Sequence, residues 1–164
     1  MTRAIAILSL LMLVAACKSD KSPWTSNWSE QERIAWVAAC ADVSPSQVTT
    51  QQLDDDVRYW FEYDRAGDHR GGLTCSVRWN RSTGRVASMT MAIDTTDGTA
   101  VAPAEVTRLM ALAKSAIPPA AYATLEKLST GDALRSPSVV TEGLRISAGY
   151  AAGNTDWGAT IVAE

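Results

Sequence analysis

The stretch Tyr63–Leu73, YDRAGDHRGGL, holds the densest gathering of groups that could move protons. It contains His69, the only histidine of the chain, between Asp64 and Asp68 and the arginines Arg65 and Arg70. A histidine held by a carboxylate can act as a general base toward a serine. No serine here sits in the G-x-S-x-G elbow that exposes such a nucleophile. One histidine with two aspartates could also bind a metal, but the zinc ligand spacings are missing. Asp54-Asp55-Asp56 and the pair Asp94 and Asp97 lack the alternating oxygen ligands, glycine and distal glutamate of a calcium loop. The expectation is therefore no catalytic residue, no metal and no cofactor, with 64–72 as a charged surface loop. Three cysteines complete the reactive inventory. Cys17 could be a buried thiol, half of a disulfide or a point of attachment.

The elements that would hold these groups follow from periodicity. Ser29 with Glu32 forms a capping box, and Ile34, Val37, Ala38 and Ala41 follow as one helical stripe with Cys40 beside it. Ser44-Pro45-Ser46-Gln47 repeats the capping pattern and predicts a short helix from Pro45 to about Leu53. The period then changes to two. Val57, Tyr59, Phe61 and Tyr63 alternate with Arg58, Trp60, Glu62 and Asp64, and Leu73, Cys75, Val77 and Trp79 alternate with polar residues. The turn RSTG leads into a third strand from Arg85 to Ile93. Pro103 opens a helix with a stripe from Val106 to Ile117, and Pro119 opens another that stops at Gly131. Leu144–Tyr150 and Trp157–Ala163 read as a closing hairpin. The sum is α+β: a mostly antiparallel sheet, made of a three-strand meander plus a C-terminal hairpin, with about four helices packed on one face.

Six tryptophans stand against one phenylalanine. Tryptophan and arginine dominate binding hot spots. Trp60 falls on the polar register of its strand, so Trp60 with Arg65, Asp68, His69 and Arg70 forms the expected partner-binding surface. The chain carries a formal charge of −3, which does not fit the basic excess of a nucleic-acid binder.

The N-terminus supplies an address. Arg3 precedes the apolar run Ala4–Val14, which falls short of the roughly 20 residues a transmembrane helix needs. A basic start, a short apolar core and small residues at its end match an export signal. Val14-Ala15-Ala16-Cys17 resembles the lipobox of bacterial lipoproteins. The resemblance implies a signal peptide over residues 1–16 and a diacylglyceryl thioether plus an amide-linked acyl chain, such as palmitate, on Cys17. Lys18 in place of aspartate implies an outer-membrane protein facing the periplasm. The polar stretch KSDKSPWTSN then reads as a tether, giving a membrane tether over 17–28 and a single α+β domain over 29–164. With Cys17 lipidated, Cys40 and Cys75 remain in an oxidising compartment, and one disulfide between them is expected. Its 35-residue loop would contribute roughly 3–4 kcal/mol in the chain-entropy model.

Such a molecule is similar in general build to toxin-immunity proteins and hydrolase inhibitors. The expected function is a lipid-anchored binding protein that captures a periplasmic effector or hydrolase. Its partners would be the bilayer, through acylated Cys17, and one periplasmic protein. An accessory subunit of an envelope assembly is the second expectation, and a hydrolase using His69 the third.

Overall fold

Three proline- or serine-led helix starts and a run of alternating strands organise the fold of this computed structural model. It describes residues 21–41, 43–64, 71–96, 98–131 and 137–164; of Cys40, Ala41, Tyr63, Asp64, Leu112 and Ala152 it describes the backbone only. Helix α1 spans Glu30–Ala41. The Glu32 carboxylate accepts from the Ser29 main-chain N–H at 2.7 Å and from its hydroxyl at 2.8 Å, closing the expected box. Helix α2 (Pro103–Lys114) starts with proline at its first position, and Glu105 Oε2 accepts from Ala102 N at 2.9 Å. Helix α3 (Pro119–Ser129) likewise begins on proline.

Seven strands form one antiparallel sheet: β1 Thr49–Gln52, β2 Asp56–Asp64, β3 Gly71–Asn80, β4 Val86–Thr95, β5 Val139–Thr141, β6 Leu144–Tyr150 and β7 Trp157–Ala163. Their spatial order is β1-β2-β3-β4-β7-β6-β5. The expected meander and hairpin are thus two halves of a single sheet, joined where Met89 faces Ile161 and Met91 faces Ala159. Among the described residues there are three α-helices rather than about four.

The difference arises at Ser44. The capping interactions form, with Gln47 Oε1 accepting from Ser44 N at 2.9 Å, but only a one-turn 3-10 helix, Pro45–Gln47, follows. Val48, Thr49 and Thr50 are β-branched and lose side-chain freedom in a helix. They extend instead, and Thr49 and Thr50 pair with Trp60 and Tyr59. Tertiary pairing overrides the local helix signal.

The strand alternation sorts the two faces as the sequence predicts. Tyr59, Phe61, Leu73, Cys75, Val77, Met89, Met91, Ile93, Ile146 and Ile161 are buried in one core with Trp36 and Val37 of α1, Leu109 and Ala113 of α2, and Ala121 and Leu125 of α3. All three helices therefore cover the same face. Trp79 meets Tyr59 and Trp36 edge to face at 5.5 and 5.6 Å, and Trp36 meets Trp28 at 6.1 Å. Edge-to-face contact sets the positive rim of one ring on the negative face of the next. Five of the six tryptophans are buried, three of them in this ring cluster, so their number reflects the core. Trp60 is the exception.

The stretch that reads as a tether through residue 28 packs onto the domain from Pro23 onward, the arrangement that the usual packing of tryptophan onto its own domain favours for Trp24 and Trp28. Val86 N donates to Pro23 O at 2.9 Å, and Trp28 N to Gly84 O at 3.2 Å. Trp24 and Trp28 are only 8% and 4% exposed. Their apolar rings gain more by leaving water than this short segment loses in ordering.

Candidate functional site

On the face of the sheet opposite the three described helices, the residues fall into rows set by the strand register, most of them exposed or partly exposed and Ser76 buried. The middle row reads Thr49, Trp60, Ser76, Thr90, Thr160 and Ser147, each paired with the next across β1, β2, β3, β4, β7 and β6. Five hydroxyl side chains and one indole thus lie in line across the sheet, at the roughly 4.8 Å spacing of adjacent strands. A neighbouring row carries Arg58, Arg78, Ser88, Val162 and Arg145.

Trp60 is the large aromatic of this face, and it is partly exposed. Arg58 lies two residues before it on the same face, with its guanidinium 5.7 Å from the indole centroid. That is cation–π distance, so the two side chains brace each other. Arg78 pairs with the buried carboxylate of Asp56, and Arg145 Nε pairs with Glu164 at 2.6 Å. The Arg145 guanidinium holds the Glu164 carboxyl below its usual range, first through the hydrogen bond and then through charge. Beyond Thr90 the side chains become small. Thr90, Ala92, Ser147, Gly158 and Thr160 leave a shallow depression of about 260 Å³.

A second concavity, about 450 Å³, lies at the end of the sheet where α2 begins, lined by Val101, Pro103, Gly131, Tyr150 and Asn154 among others. Main-chain bonds build its walls: Val101 N donates to Asn154 O and Tyr150 N to Gly131 O, both at 2.8 Å. Burial, and then the Glu105 carboxylate, push the Tyr150 phenol up, so it stays a protonated donor at neutral pH. The other polar side chains that line this cleft are Thr130 and Asn154.

The sequence-derived surface is only partly visible. Trp60 stands where alternation placed it, while Arg65, Asp68, His69 and Arg70 lie outside the described residues, as does Cys17. Asp64 and Gly71, which flank residues 65–70, pair with Gly72 and Thr95 at one end of the sheet. Sequence reasoning missed Arg58 as a companion of Trp60, although the i, i+2 spacing along a strand carries that signal.

Cys75 sits on the inner face between Phe61 and Met91, and its thiol is free and buried. Burial pushes that thiol up to about 12. A thiol so held is protonated at neutral pH and is no nucleophile. Cys40 lies in the last turn of α1 with its side chain outside the described ones, so the expected bridge is not seen. Among the described residues no three His, Cys, Asp or Glu side chains gather to hold a metal ion. No helix among them is long and apolar enough to cross a membrane.

Comparison of the chain with protein-family models, curated proteins and solved structures gives no match.

Proposed function

We propose that this chain is a lipid-anchored, periplasm-facing binding protein that captures a protein effector or hydrolase through the outer face of its sheet. The observation that carries the reading is Trp60 braced by Arg58, on the face opposite the three described helices. Tryptophan and arginine are the residues on which interfaces most often depend. The hydroxyl row beside them supplies both donors and acceptors. The adjoining depression is shallow and lined by small groups, which suits a broad protein surface better than a small molecule enclosed in a pocket. Lipidation of Cys17 and residence at the outer membrane belong to the same proposal, on the strength of the lipobox and Lys18.

The test is capture by the soluble Cys17→Ser form from envelope and secreted fractions, followed by inhibition assays on what is captured. The expected result is one hydrolase inhibited at a one-to-one ratio, with inhibition lost in Trp60→Ala. A stable multi-protein envelope complex would favour the accessory-subunit reading instead. Hydrolysis of an envelope polymer that disappears in His69→Ala would replace both.

A further inference from the structure

The N-terminal segment carries an inference about orientation that rests on the lipid-anchor reading. Between Lys21 and Trp28 the chain is tied down at several points. Pro23 and Trp28 bond the main chain of Val86 and Gly84, and Trp24 Nε1 donates to Ala116 O at 2.7 Å. Ala116 lies just past the C-terminal end of α2, and Gly84 lies in the β3–β4 hairpin. Both belong to one end of the sheet, which also holds the β1–β2 and β5–β6 turns. The β6–β7 turn and the start of α2 lie at the opposite end.

The anchor is consequently close to the fold. Lys21 lies four residues on from Cys17, and a fully extended chain spans at most about 14 Å over those four steps. A free tether running to residue 28 would instead let the domain wander through some 20 Å in any orientation. We infer that the hairpin end of the sheet, built from the docked segment, residues 81–85 and the α2–α3 corner, is the surface that faces the lipid headgroups. The ten-residue strands β3 and β4 place the other end, with the Tyr150 cleft, roughly 30 Å farther from the bilayer. Charge does not set this orientation. Lys21, Arg81, Arg85 and Lys114 are exposed here, but so are Glu30, Glu32, Asp54 and Asp55. The short stem sets it, and moderate salt leaves it unchanged.

The experiment uses the full-length, lipidated protein in vesicles that carry a nitroxide on a fraction of their headgroups. A small fluorophore is placed at Ser82→Cys in the hairpin or at Thr96→Cys near the far end, both exposed positions. Because headgroup quenching acts over short range and the ends differ by some 30 Å, quenching at 82 exceeds that at 96 by at least about fivefold. Insertion of twelve Gly/Ser residues between Asp20 and Lys21 leaves the docked segment intact and brings the ratio toward one. Equal quenching at 82 and 96 with Cys17 shown by mass spectrometry to be acylated overturns the inference alone. Unmodified Cys17 on protein recovered from cells overturns the anchor reading and the inference with it.

Discussion

Trp24 Nε1 donates to the main-chain oxygen of Ala116 at 2.7 Å, joining two residues 92 positions apart. The bond is buried and ties the N-terminal segment to the corner between α2 and α3. Trp24→Phe keeps an aromatic ring but leaves the Ala116 carbonyl without this donor, at a cost of about 1–2 kcal/mol. Trp24→Ala also empties the ring's volume and costs about 3–5 kcal/mol. Urea unfolding of the two variants separates these contributions. Equal midpoints for Trp24→Phe and the parent would show that the bond contributes nothing.

Gly84 is the second fastening point. Its φ of +64° is a conformation that favours glycine, and a Cβ there would stand 1.9 Å from Asn27 Oδ1. Gly84→Ala therefore combines backbone strain, about 1 kcal/mol, with a clash in the docked segment. Asn27→Ala in the same chain removes the clash and leaves the strain. The double variant is expected to melt above Gly84→Ala and below Asn27→Ala. A double variant no better than Gly84→Ala would locate the whole cost in the backbone.

The thiols respond to where the protein is made. Protein made in a reducing cytosol holds Cys75 as a protonated, buried thiol, unreactive to iodoacetamide at pH 8 until the chain is unfolded. Exported protein is expected to yield a Cys40–Cys75 linked peptide under non-reducing conditions. In that oxidised form Cys40→Ser lowers stability by about 3–4 kcal/mol, and in the reduced form it has little effect. A map with both thiols free in the exported protein would discard the bridge.

Acid should loosen the N-terminus of α1 first. The Ser29 hydrogen bonds, and then Lys21, hold the Glu32 carboxyl below its ordinary value of 4.5. A carboxylate whose folded value is depressed stabilises the fold fully above its ordinary value, and that contribution fades as pH falls through the folded one. Glu32→Gln removes this contribution and flattens the stability profile below pH 4.5. Amide exchange in α1, measured from pH 6 down to 3, checks it. An unchanged acid limb in Glu32→Gln would exclude this group as the cause.

Trp60 separates binding from folding. It lies outside the core cluster, so Trp60→Ala changes unfolding free energy by no more than about 1 kcal/mol. Loss of a hot-spot tryptophan, worth about 2 kcal/mol or more, weakens partner binding roughly thirtyfold. Calorimetric titration against the captured partner gives the second number and chemical denaturation the first. A stability loss as large as that of Trp24→Ala would make Trp60 a core residue.

The parts of this fold that were legible in the sequence are those determined by near neighbours. Alternation placed Tyr59, Cys75 and Ile146 inward and Trp60 outward, and the Ser29 and Pro119 signals located helix starts correctly. What escaped depends on distant partners. Thr49–Gln52 has no alternation of its own and is a strand because β2 lies beside it. Val139–Thr141 is too short to announce itself. That Trp24 packs back onto its own domain follows the usual behaviour of tryptophan, but where it docks depends on an acceptor, Ala116 O, from the far half of the chain. In the site, Trp60 was legible from its register, whereas the hydroxyl row required the order in which five other strands lie beside β2.

That strand order also bears on how the molecule comes into being. One long side of β4 pairs with β3, its immediate predecessor, and the other with residues 157–162 of β7. A chain exported as proposed emerges N-terminus first, so a half-sheet ending in β4 reaches the periplasm before its other half exists. Until β7 arrives, Met89, Met91 and Ile93 of β4 lack their strand partners Ile161, Ala159 and Trp157. Such non-local closure is slow, and an unpaired hydrophobic margin readily recruits the wrong strand. The period of greatest risk for this protein is therefore its own birth, and the rate at which β7 follows β4 out of the translocon governs the yield of folded molecules.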